Sequence, residues 1–518
     1  MAAIVTNQFR ILNANNFVDS ISNEDNSYYL FVGLANPSSV VGFGRDPNWD
    51  SNVPNPIDNF DYLNHVKDTM LFGSRVTSAN IRRLIRRIDW VKGTKYEMYR
   101  HDYSVLNPSP ITKSANLYNS NYYVVNQDYR VYICIDNGST GINSTGNASK
   151  DEPLFTDLEP SKAGESGDGY IWKYLFTISP SDIIKFDSTE YITVPNDWAT
   201  SSNPQIEAIR DNGNSDVNEN QIKKVYIEDA GENYSNVLGQ EVDILGDGTG
   251  GKVIIDVDGG KIVNAVVSSG GKGYSYGMVD LGALNLSTTS TPAKLIPIIP
   301  PSKGHGYDIY KELGTDKILV YSRFDDSNKD FPVDTKFAQI GIVKNPESST
   351  SNIVYDDNYF SALYAIKFNS ITGTPTIGEK ITQLSIDGSS KAKGYVASYD
   401  EETMVLKYFT DRSLYYNQTT LDQTDFIGIS TISKYVDFES SVNPVTSDSF
   451  SGSIDITFSD NKVNPSGTKV IDLGVNFSSG LAIPEINKRS GEIIYVDNRP
   501  IISRNPRQKE DIKIVLEF

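Results

Sequence analysis

Apolar residues near the start of the chain recur every three or four positions, a spacing that is typical of amphipathic helices. This spacing predicts helices at residues 15–21, 56–72 and 81–88, the last of them capped by Ser78. From Tyr118 onward apolar and polar residues alternate, and a period of two is typical of half-buried strands. The chain is therefore predicted to begin with a few helices and to continue as a β protein.

Two strands stand out in this alternation. Residues 129–135 place Val131 and Ile133 on one face and Cys134 on the other. Residues 170–178 carry an aromatic ladder on one face, which we expect in a core between two sheets, with an interface or a glycan platform as the alternative. The ladder residues are Tyr170, Trp172, Tyr174 and Phe176. Further strands are predicted at residues 317–323, 337–343 and 511–518, and a long loop at residues 136–169.

A short motif occurs twice in the middle of the chain. Gly231-Glu232-Asn233-Tyr234-Ser235 and Gly271-Lys272-Gly273-Tyr274-Ser275 each follow a strand-like run, which indicates two related β units. A hairpin between them is predicted to turn at Asp258-Gly259-Gly260. Composition shifts predict five regions: an N-terminal region of helices and then a β-sheet (1–204), an inserted glycine-rich β-repeat module (205–302), a return to the first region (303–346), a second inserted β module (347–484) and C-terminal strands that complete the core (485–518).

Composition supports a mainly β, multi-domain protein. Aromatic residues make up 11% of the 518 residues, and the chain has 31 tyrosines, 39 glycines and 23 prolines. Such a mixture of β-preferring residues and turn formers favours many short strands over long helices. We expect sandwich-like sheets, a few helices near the N-terminus and inserted small β modules.

The net charge of −19 arises from 47 basic and 66 acidic residues. Phosphate backbones and anionic membranes repel a strongly acidic chain, so neither nucleic acid nor a membrane is an expected partner. No stretch approaches the roughly 18 apolar residues that span a membrane, and the N-terminus shows no leader pattern. These features predict a soluble protein that is not secreted by the classical route.

Few residues are suited to catalysis or metal binding. One cysteine, Cys134, and three histidines argue against a disulfide framework and a zinc site. His101 and Asp102 are adjacent, so they point to opposite faces of an extended chain. A carboxylate pair of the glycosidase type stays an alternative, although solvated surface acids are favoured. Turn or strand-edge roles are expected for four aspartates without a known calcium spacing: Asp243, Asp247, Asp256 and Asp258. No catalytic residue, cofactor or metal is expected.

Residues 246–251 satisfy the glycine pattern of a dinucleotide-binding loop. That loop also requires a following helix, whose N-terminus holds the pyrophosphate. Residues 252–257 are instead β-branched and extended, so a hairpin turn is predicted here.

Four arginines form the one strongly basic surface that the sequence predicts. Arg82, Arg83, Arg86 and Arg87 share one face of the predicted helix at residues 81–88. The arginines are either a solvated face paired with the chain's own acids or a docking surface for an acidic partner. The sequence leaves both interpretations open.

Several motifs agree in order and position with one family. They are Phe43-Gly44-Arg45 with Trp49, Arg86-Arg87-Ile88-Asp89-Trp90, Asp168-Gly169-Tyr170-Ile171-Trp172, Glu190-Tyr191-Ile192-Thr193-Val194-Pro195, and Ser490-Gly491-Glu492-Ile493-Ile494-Tyr495 with Asn498-Arg499-Pro500. In these motifs the chain resembles the dimeric baseplate wedge subunits of T-even-like contractile phage tails, the family of the gene-eight product. The resemblance spans about residues 1–200, 305–346 and 485–518, and the two inserted modules have no counterpart.

The resemblance implies a non-enzymatic structural protein whose matching residues are structural. In the family, β-rich subunits form a homodimer that joins other wedge proteins around the tail hub. We therefore expect a component of the virion tail baseplate that is made and assembled in the host cytoplasm. A tail protein that binds a receptor or processes a glycan is the alternative.

Overall fold

The computed structural model describes residues 4–23, 26–34, 49–213, 218–284, 291–324, 336–388, 390–410, 436–465, 467, 469–503 and 509–518. Strands dominate this part of the chain, so the predicted mainly β class is confirmed. The helices are α1 Asn7–Ser22, α2 Phe60–Asp68, α3 Pro180–Phe186, α4 Pro204–Asn212 and α5 Ile309–Leu313.

The strands are listed in chain order. They are β1 Tyr28–Gly33, β2 Met70–Val76, β3 Ile81–Arg86, β4 Tyr123–Val125, β5 Arg130–Asn137, β6 Ser161–Lys162, β7 Tyr170–Thr177, β8 Tyr191–Val194, β9 Val225–Asp229, β10 Val237–Gly246, β11 Thr249–Asp258, β12 Lys261–Lys272, β13 Gly277–Val279, β14 Lys294–Pro297, β15 Lys317–Phe324, β16 Lys336–Lys344, β17 Tyr359–Ser361, β18 Tyr364–Gly373, β19 Lys380–Leu384, β20 Lys391–Asp400, β21 Val405–Phe409, β22 Val445–Thr446, β23 Phe450–Ile454, β24 Lys462–Val463, β25 Ile471–Asp472, β26 Leu481–Ala482, β27 Glu492–Ser503 and β28 Glu510–Glu517.

Two compact units divide the chain. The first unit comprises Met1–Asn16, Arg82–Leu319 and Val515–Phe518, and the second comprises Phe17–Ile81 and Val320–Ile514.

The first unit is built around the antiparallel sheet β4-β5-β7-β6. Its central strands β5 and β7 are the two that the alternation predicted, and Cys134 lies opposite Trp172 in their register. The aromatic ladder on β7 is buried in the core, as expected. Lys173 and Leu175 on the other face of β7 are buried as well, so this sheet is covered on both faces.

The repeat module of the first unit is a second antiparallel sheet, with the order β12-β11-β10-β13. The predicted hairpin between β11 and β12 is confirmed. The repeated motif supplies an inward tyrosine each time. The hydroxyl of Tyr274 accepts a hydrogen bond from the amide of Gly251 (3.0 Å) and donates one to the carbonyl oxygen of Ile244 (2.8 Å). The hydroxyl of Tyr234 accepts from the amide of Ala293 (2.8 Å).

Residues 81–86 form the strand β3, so the helix predicted at 81–88 is wrong. β3 pairs antiparallel with β8, and Leu84 lies opposite Thr193. Ile81, Arg83 and Ile85 are buried on one face of the strand, and Leu84 is buried on the other, so both faces are covered. A strand buried on both faces loses its alternation, so its apolar spacing does not distinguish it from a helix.

The helix predicted at residues 56–72 is divided in the structure. The helix α2 ends at Asp68, and Met70 already belongs to β2. Thr69 caps the helix, because its hydroxyl donates to the carbonyl oxygen of His65 at 2.9 Å. The same carbonyl also accepts from the amide of Thr69 at 3.0 Å, so two bonds from Thr69 close the last turn of the helix before the chain enters the strand.

The second unit begins with the sheet β17-β2-β1-β16-β27. Every residue of the central strand β1 is buried. Phe31 on this strand lies opposite Gly73 on one side and Gly341 on the other. A Cβ atom at Gly341 would lie 2.3 Å from Cζ of Phe31, so the glycine leaves the space that the ring occupies.

The rest of the second unit contains a closed barrel. Its six strands follow the order β18, β23, β22, β19, β20 and β21, and β21 pairs back with β18. Ile366, Phe368, Val396 and Leu406 are fully buried in one apolar cluster of these strands. The alternation of short apolar runs and turns that the sequence shows here therefore forms a barrel.

Candidate functional site

Arg82 on β3 and Arg87, which directly follows this strand, are paired with acids of the same chain. Nε of Arg82 donates to Oδ1 of Asp182 at 3.0 Å. Arg87 contacts Asp89 at 3.0 Å and Asp187 at 2.8 Å. The hydrogen bond to Asp89, together with the charge of Asp187, raises the pKa of the Arg87 guanidinium against the opposing effect of burial. The sequence left two interpretations open for the arginines. Arg82 and Arg87 fit the first one, pairing with the chain's own acids.

Arg83 and Arg86 are used inside the fold. The side chain of Arg83 is buried, and its Nε donates to Oδ1 of Asn15 at 2.7 Å. A terminal nitrogen of Arg86 donates to the carbonyl oxygen of Ser120 at 2.8 Å. Three of the four arginines therefore lie on β3 and Arg87 directly follows it, so they do not form an exposed helix face, and an interface role for them stays a prediction.

The structure brings together family-matching residues of the first unit around Tyr96, a residue that the sequence did not single out. The Tyr96 hydroxyl donates to the carbonyl oxygen of Asp89 at 3.1 Å and accepts from the amide of Val91 at 2.6 Å. The Tyr96 amide donates to the hydroxyl of Tyr170 at 2.8 Å. The ring of Tyr170 stacks on Trp172 with 5.3 Å between centroids. These contacts place Tyr96, Tyr170 and Trp172 together in the buried core of the first unit.

The motif Asp168-Gly169-Tyr170 fixes the long loop before β7. The carboxylate of Asp168 accepts from the amide of Lys150 at 2.7 Å and from the amide of Tyr170 at 3.0 Å. Gly169 has a φ of +84°, and a Cβ atom there would lie 2.9 Å from Cα of Gly138. Glycine is required here because both the backbone angle and the close approach exclude a side chain.

Two further matching residues of the first unit anchor neighbouring segments. Nε1 of Trp90 donates to Oγ of Ser149 at 3.0 Å. The carbonyl oxygen of Pro195 accepts from the hydroxyl of Tyr310 at 2.8 Å. Both contacts tie loops to the core, so Trp90 and Pro195 also have structural roles.

The matching residues of the second unit surround β27. Nε1 of Trp49 donates to the carbonyl oxygen of Arg499 at 2.8 Å. The carbonyl oxygen of Gly491 accepts from Nζ of Lys67 at 2.6 Å. Tyr495 lies opposite Ile342 of β16, and burial raises the pKa of its phenol. The remaining two positions are Pro500, which is exposed on β27, and Arg45, which lies outside the described residues.

Two buried charged residues were missed by the sequence interpretation. The carboxylate of Glu97 is fully buried and accepts from the amides of Thr112 at 2.7 Å and Asn121 at 2.8 Å. The guanidinium of Arg100 lies 3.9 Å from the ring centroid of Tyr226 and donates to Asp102 at 2.6 Å. Neither residue stands in a periodic segment or a motif, so no sequence signal marks them.

A tight turn beside Arg100 exposes two aliphatic side chains. The side chains of Val105 and Leu106 at its tip are 85% and 98% exposed. Backbone hydrogen bonds of 3.0 and 3.2 Å join Ser104 and Asn107 in both directions across the tip. Nδ2 of Asn107 also donates to Asp102 at 2.7 Å. Turn tips usually carry Gly, Asn, Asp, Pro or Ser, so a well-anchored apolar tip is unusual.

His101, Cys134 and Asp247, which the sequence analysis considered for chemistry, are each held by burial or by hydrogen bonds within the fold. Nδ1 of His101 accepts from the amide of Ile299 at 3.2 Å, and burial lowers the pKa of this imidazole. Cys134 is fully buried, and burial raises the pKa of its thiol well above the usual value. Hydrogen bonds from Ser275 lower the pKa of the Asp247 carboxyl to about 2.

The predicted turn within residues 246–251 is confirmed, because β10 ends at Gly246 and the strand β11 follows from Thr249. The described residues hold no group of three or more His, Cys, Asp or Glu placed to bind a metal ion. Among the helices that the structure describes, none has the length and apolar character needed to cross a membrane.

Comparison with known proteins gives two matches. A family model described as "Bacteriophage T4, Gp8" matches residues 157–233, which include the Asp168-Gly169-Tyr170 motif and Pro195. The "Baseplate wedge protein gp8" of Enterobacteria phage T4 is 28% identical over 220 residues, which cover 37% of this chain and 60% of that protein. The chain thus matches less than two thirds of this relative's length. Both matches confirm the predicted resemblance of this chain to the gene-eight baseplate wedge family.

Proposed function

We propose that this chain is a structural component of the baseplate wedge of a contractile phage tail. In this role it joins neighbouring wedge proteins through protein–protein interfaces during tail assembly and baseplate switching. The observation that carries the proposal is the 28% identity over 220 residues to a protein named as a baseplate wedge protein. The expected location is the virion tail baseplate, after assembly in the host cytoplasm.

The surroundings of the matching residues support a mechanical, non-enzymatic role. Trp172 is fully buried in an aromatic core, and Asp168 and Trp90 fix loops to it. The residues of this chain that resemble the family therefore serve packing and loop anchoring. The rigid turn that exposes Val105 and Leu106 supports surface contacts, because pre-organised apolar groups bind a partner with little loss of conformational entropy. No cofactor or metal enters this proposal.

A homodimer is part of the proposal. Most soluble homo-oligomers are closed and symmetric, and a two-fold contact uses the same surface patch on both copies. Size-exclusion chromatography with light scattering measures the mass of the purified protein directly. Twice the chain mass of 57.3 kDa is the expected result. A clean monomer at micromolar concentration would contradict the dimer and leave the baseplate location to be tested separately.

Electron microscopy of the parent phage particle tests the location. An antibody to this chain, bound to intact tails, is expected to label the distal plate of the tail. Label on the tail fibres would instead favour the alternative, a receptor-binding or glycan-processing protein. Release of reducing ends from host polysaccharide by the purified chain would contradict the non-enzymatic role.

A further inference from the structure

A cleft of about 770 Å³ lies within the second unit. Its walls are residues 348–350, residues 470–472 and 474–476, and residues 483–485, and Tyr355, Asp357 and Asn461 also line it. The volume falls in the range of about 300 to 1,000 Å³ that is typical of ligand sites. Apart from Glu485, the lining residues lie outside the segments that resemble the baseplate wedge family, and the proposed function makes no use of the cleft.

The walls of the cleft are joined by backbone contacts. The amide of Ser349 donates to the carbonyl oxygen of Glu485 at 3.0 Å. Ser348 and Ile486 form an antiparallel bridge. Leu473 donates its amide to the carbonyl oxygen of Asn461 at 2.8 Å, which extends the antiparallel pairing of β24 with β25. Because these contacts are made within the chain, the cleft exists before any partner binds.

The charged side chains that line the cleft are all acidic. They are Asp357, Asp472 and Glu485, and no Lys or Arg among the described residues lines it. Asp357 and Asp472 form no ion pair with a basic residue in the part of the chain that the structure describes. After burial, the negative charges of Glu485 and Asp357 are the main effects that raise the pKa of the Tyr355 phenol. The cleft therefore has a negative potential.

Two aliphatic side chains of the cleft are open to solvent. Val470 is 64% exposed and Ile483 is 54% exposed. Aliphatic surface next to carboxylates matches a lysine or arginine side chain, whose methylene stem packs on apolar groups while its charged end pairs with an acid. A simple metal ion would use the carboxylates but would leave these aliphatic groups without a function.

We propose that this cleft binds an extended segment of a partner protein that carries lysine or arginine side chains. The charged ends of the segment contact Asp357 and Asp472, and its methylene stems and apolar side chains cover Val470 and Ile483. This proposal concerns the second unit and does not rest on the baseplate role.

A short fluorescein-labelled peptide in which lysine alternates with valine is the probe, and fluorescence anisotropy measures its Kd. The peptide in which glutamate replaces lysine is the control for charge. The test variant of the full chain is Asp357→Asn with Asp472→Asn, which keeps side-chain shape. The matched control is Glu401→Gln with Asp448→Asn, which removes the same charge from exposed positions that do not line the cleft.

The expected result is saturable binding of the lysine peptide and none of the glutamate peptide at matched concentration. The double cleft variant is expected to weaken binding roughly fivefold or more, since each exposed charge contact contributes modestly. The Kd of the control variant should stay within twofold of wild type. Equal weakening by both variants would show that only the net charge attracts the peptide and would overturn the proposal. Unchanged binding by the cleft variant would overturn it as well.

Discussion

The indole Nε1 of Trp49 donates a hydrogen bond of 2.8 Å to the carbonyl oxygen of Arg499, across a separation of 450 residues. Trp49 is 2% exposed, and both residues belong to motifs that resemble the wedge family. Replacement by alanine is expected to destabilise the second unit by about 3 to 5 kcal/mol, because it removes a large buried ring. Trp49→Phe, which loses mainly the hydrogen bond, is expected to cost about 1 to 2 kcal/mol.

Denaturant unfolding monitored by circular dichroism measures these changes. Val442→Ala, at a position that is 87% exposed in the same unit, is the control and is expected to change stability by less than about 0.5 kcal/mol. Equal stability of Trp49→Ala and wild type would contradict the anchoring role of this ring.

Replacement of Arg100 is expected to lower the stability of the first unit even when the new residue is lysine. Its guanidinium lies over the ring of Tyr226 at 3.9 Å and holds Asp102 with two hydrogen bonds, of 2.9 and 2.6 Å. Lysine lacks the planar fork for both contacts, so Arg100→Lys and Arg100→Ala should each destabilise the first unit, the latter by about 3 kcal/mol. Lys252→Ala, which breaks an exposed ion pair in the same unit, should change stability far less. A lysine variant with wild-type thermal stability would refute this expectation.

Gly341→Ala is expected to destabilise the second unit by about 1 to 3 kcal/mol, because the new methyl group would overlap the ring of Phe31. The matched background is Phe31→Leu, which shortens the opposing side chain. In that background the same alanine should cost clearly less, and a double-mutant cycle of unfolding free energies measures the difference. Identical costs in both backgrounds would show that the overlap with Phe31 is not the cause.

Lys173 should make stability depend on pH in the alkaline range. Burial lowers the pKa of its ammonium group from 10.5 to about 8. Between these values the unfolded chain binds more protons than the folded chain, so this lysine increases the free energy of unfolding as pH rises. Below pH 8 the buried ammonium group is charged in the folded chain, and its burial lowers the free energy of unfolding by the full amount. Lys173→Met should therefore gain most relative to wild type near neutral pH and lose that advantage towards pH 10.

Thermal unfolding of both proteins across this pH range measures the change. Lys162→Met, which replaces a lysine that is 65% exposed on the neighbouring strand β6, is the control. The difference between this control and wild type should stay constant across the same range. A constant difference for Lys173→Met as well would contradict the lowered pKa.

Leu106→Asp tests the exposed turn of the first unit. Because Leu106 is 98% exposed, the substitution should leave thermal stability unchanged. If the turn contacts a wedge partner, phage complemented with this variant should incorporate fewer copies per particle, measured by quantitative blotting of purified tails. Ile142→Asp, at a position that is 81% exposed, is the control and should be incorporated normally. Normal incorporation of Leu106→Asp would exclude the turn as a contact.

Sequence reasoning worked best where one period dominates over a whole element. β5, β7 and the hairpin of β11 and β12 were predicted because alternation or paired glycines mark them. The strand β3 was predicted as a helix because burial on both faces hides the strand period. The local pattern does not record which other element will cover Arg83.

The residues that anchor loops were the hardest to predict. The carboxylate of Glu97 accepts from the amide of Asn121, 24 residues away, and the amide of Tyr96 donates to the hydroxyl of Tyr170, 74 residues away. Such contacts depend on chain topology and leave no spacing to detect. The cleft at Asp357 and Asp472 was missed for the same reason, since tertiary folding brings its walls together.

The closure of the barrel through the pairing of β18 with β21 has a consequence for how this part of the chain can evolve. Each strand of this ring pairs with a neighbour on either side, and β18 also pairs with β26 outside the ring, so few strand edges stay free for another chain. Any new binding preference there must arise from substitutions of outward side chains, while the backbone stays the same. Such a ring can change its surface residues with little risk of misfolding. The risk that particles join into fibres through free strand edges is also small.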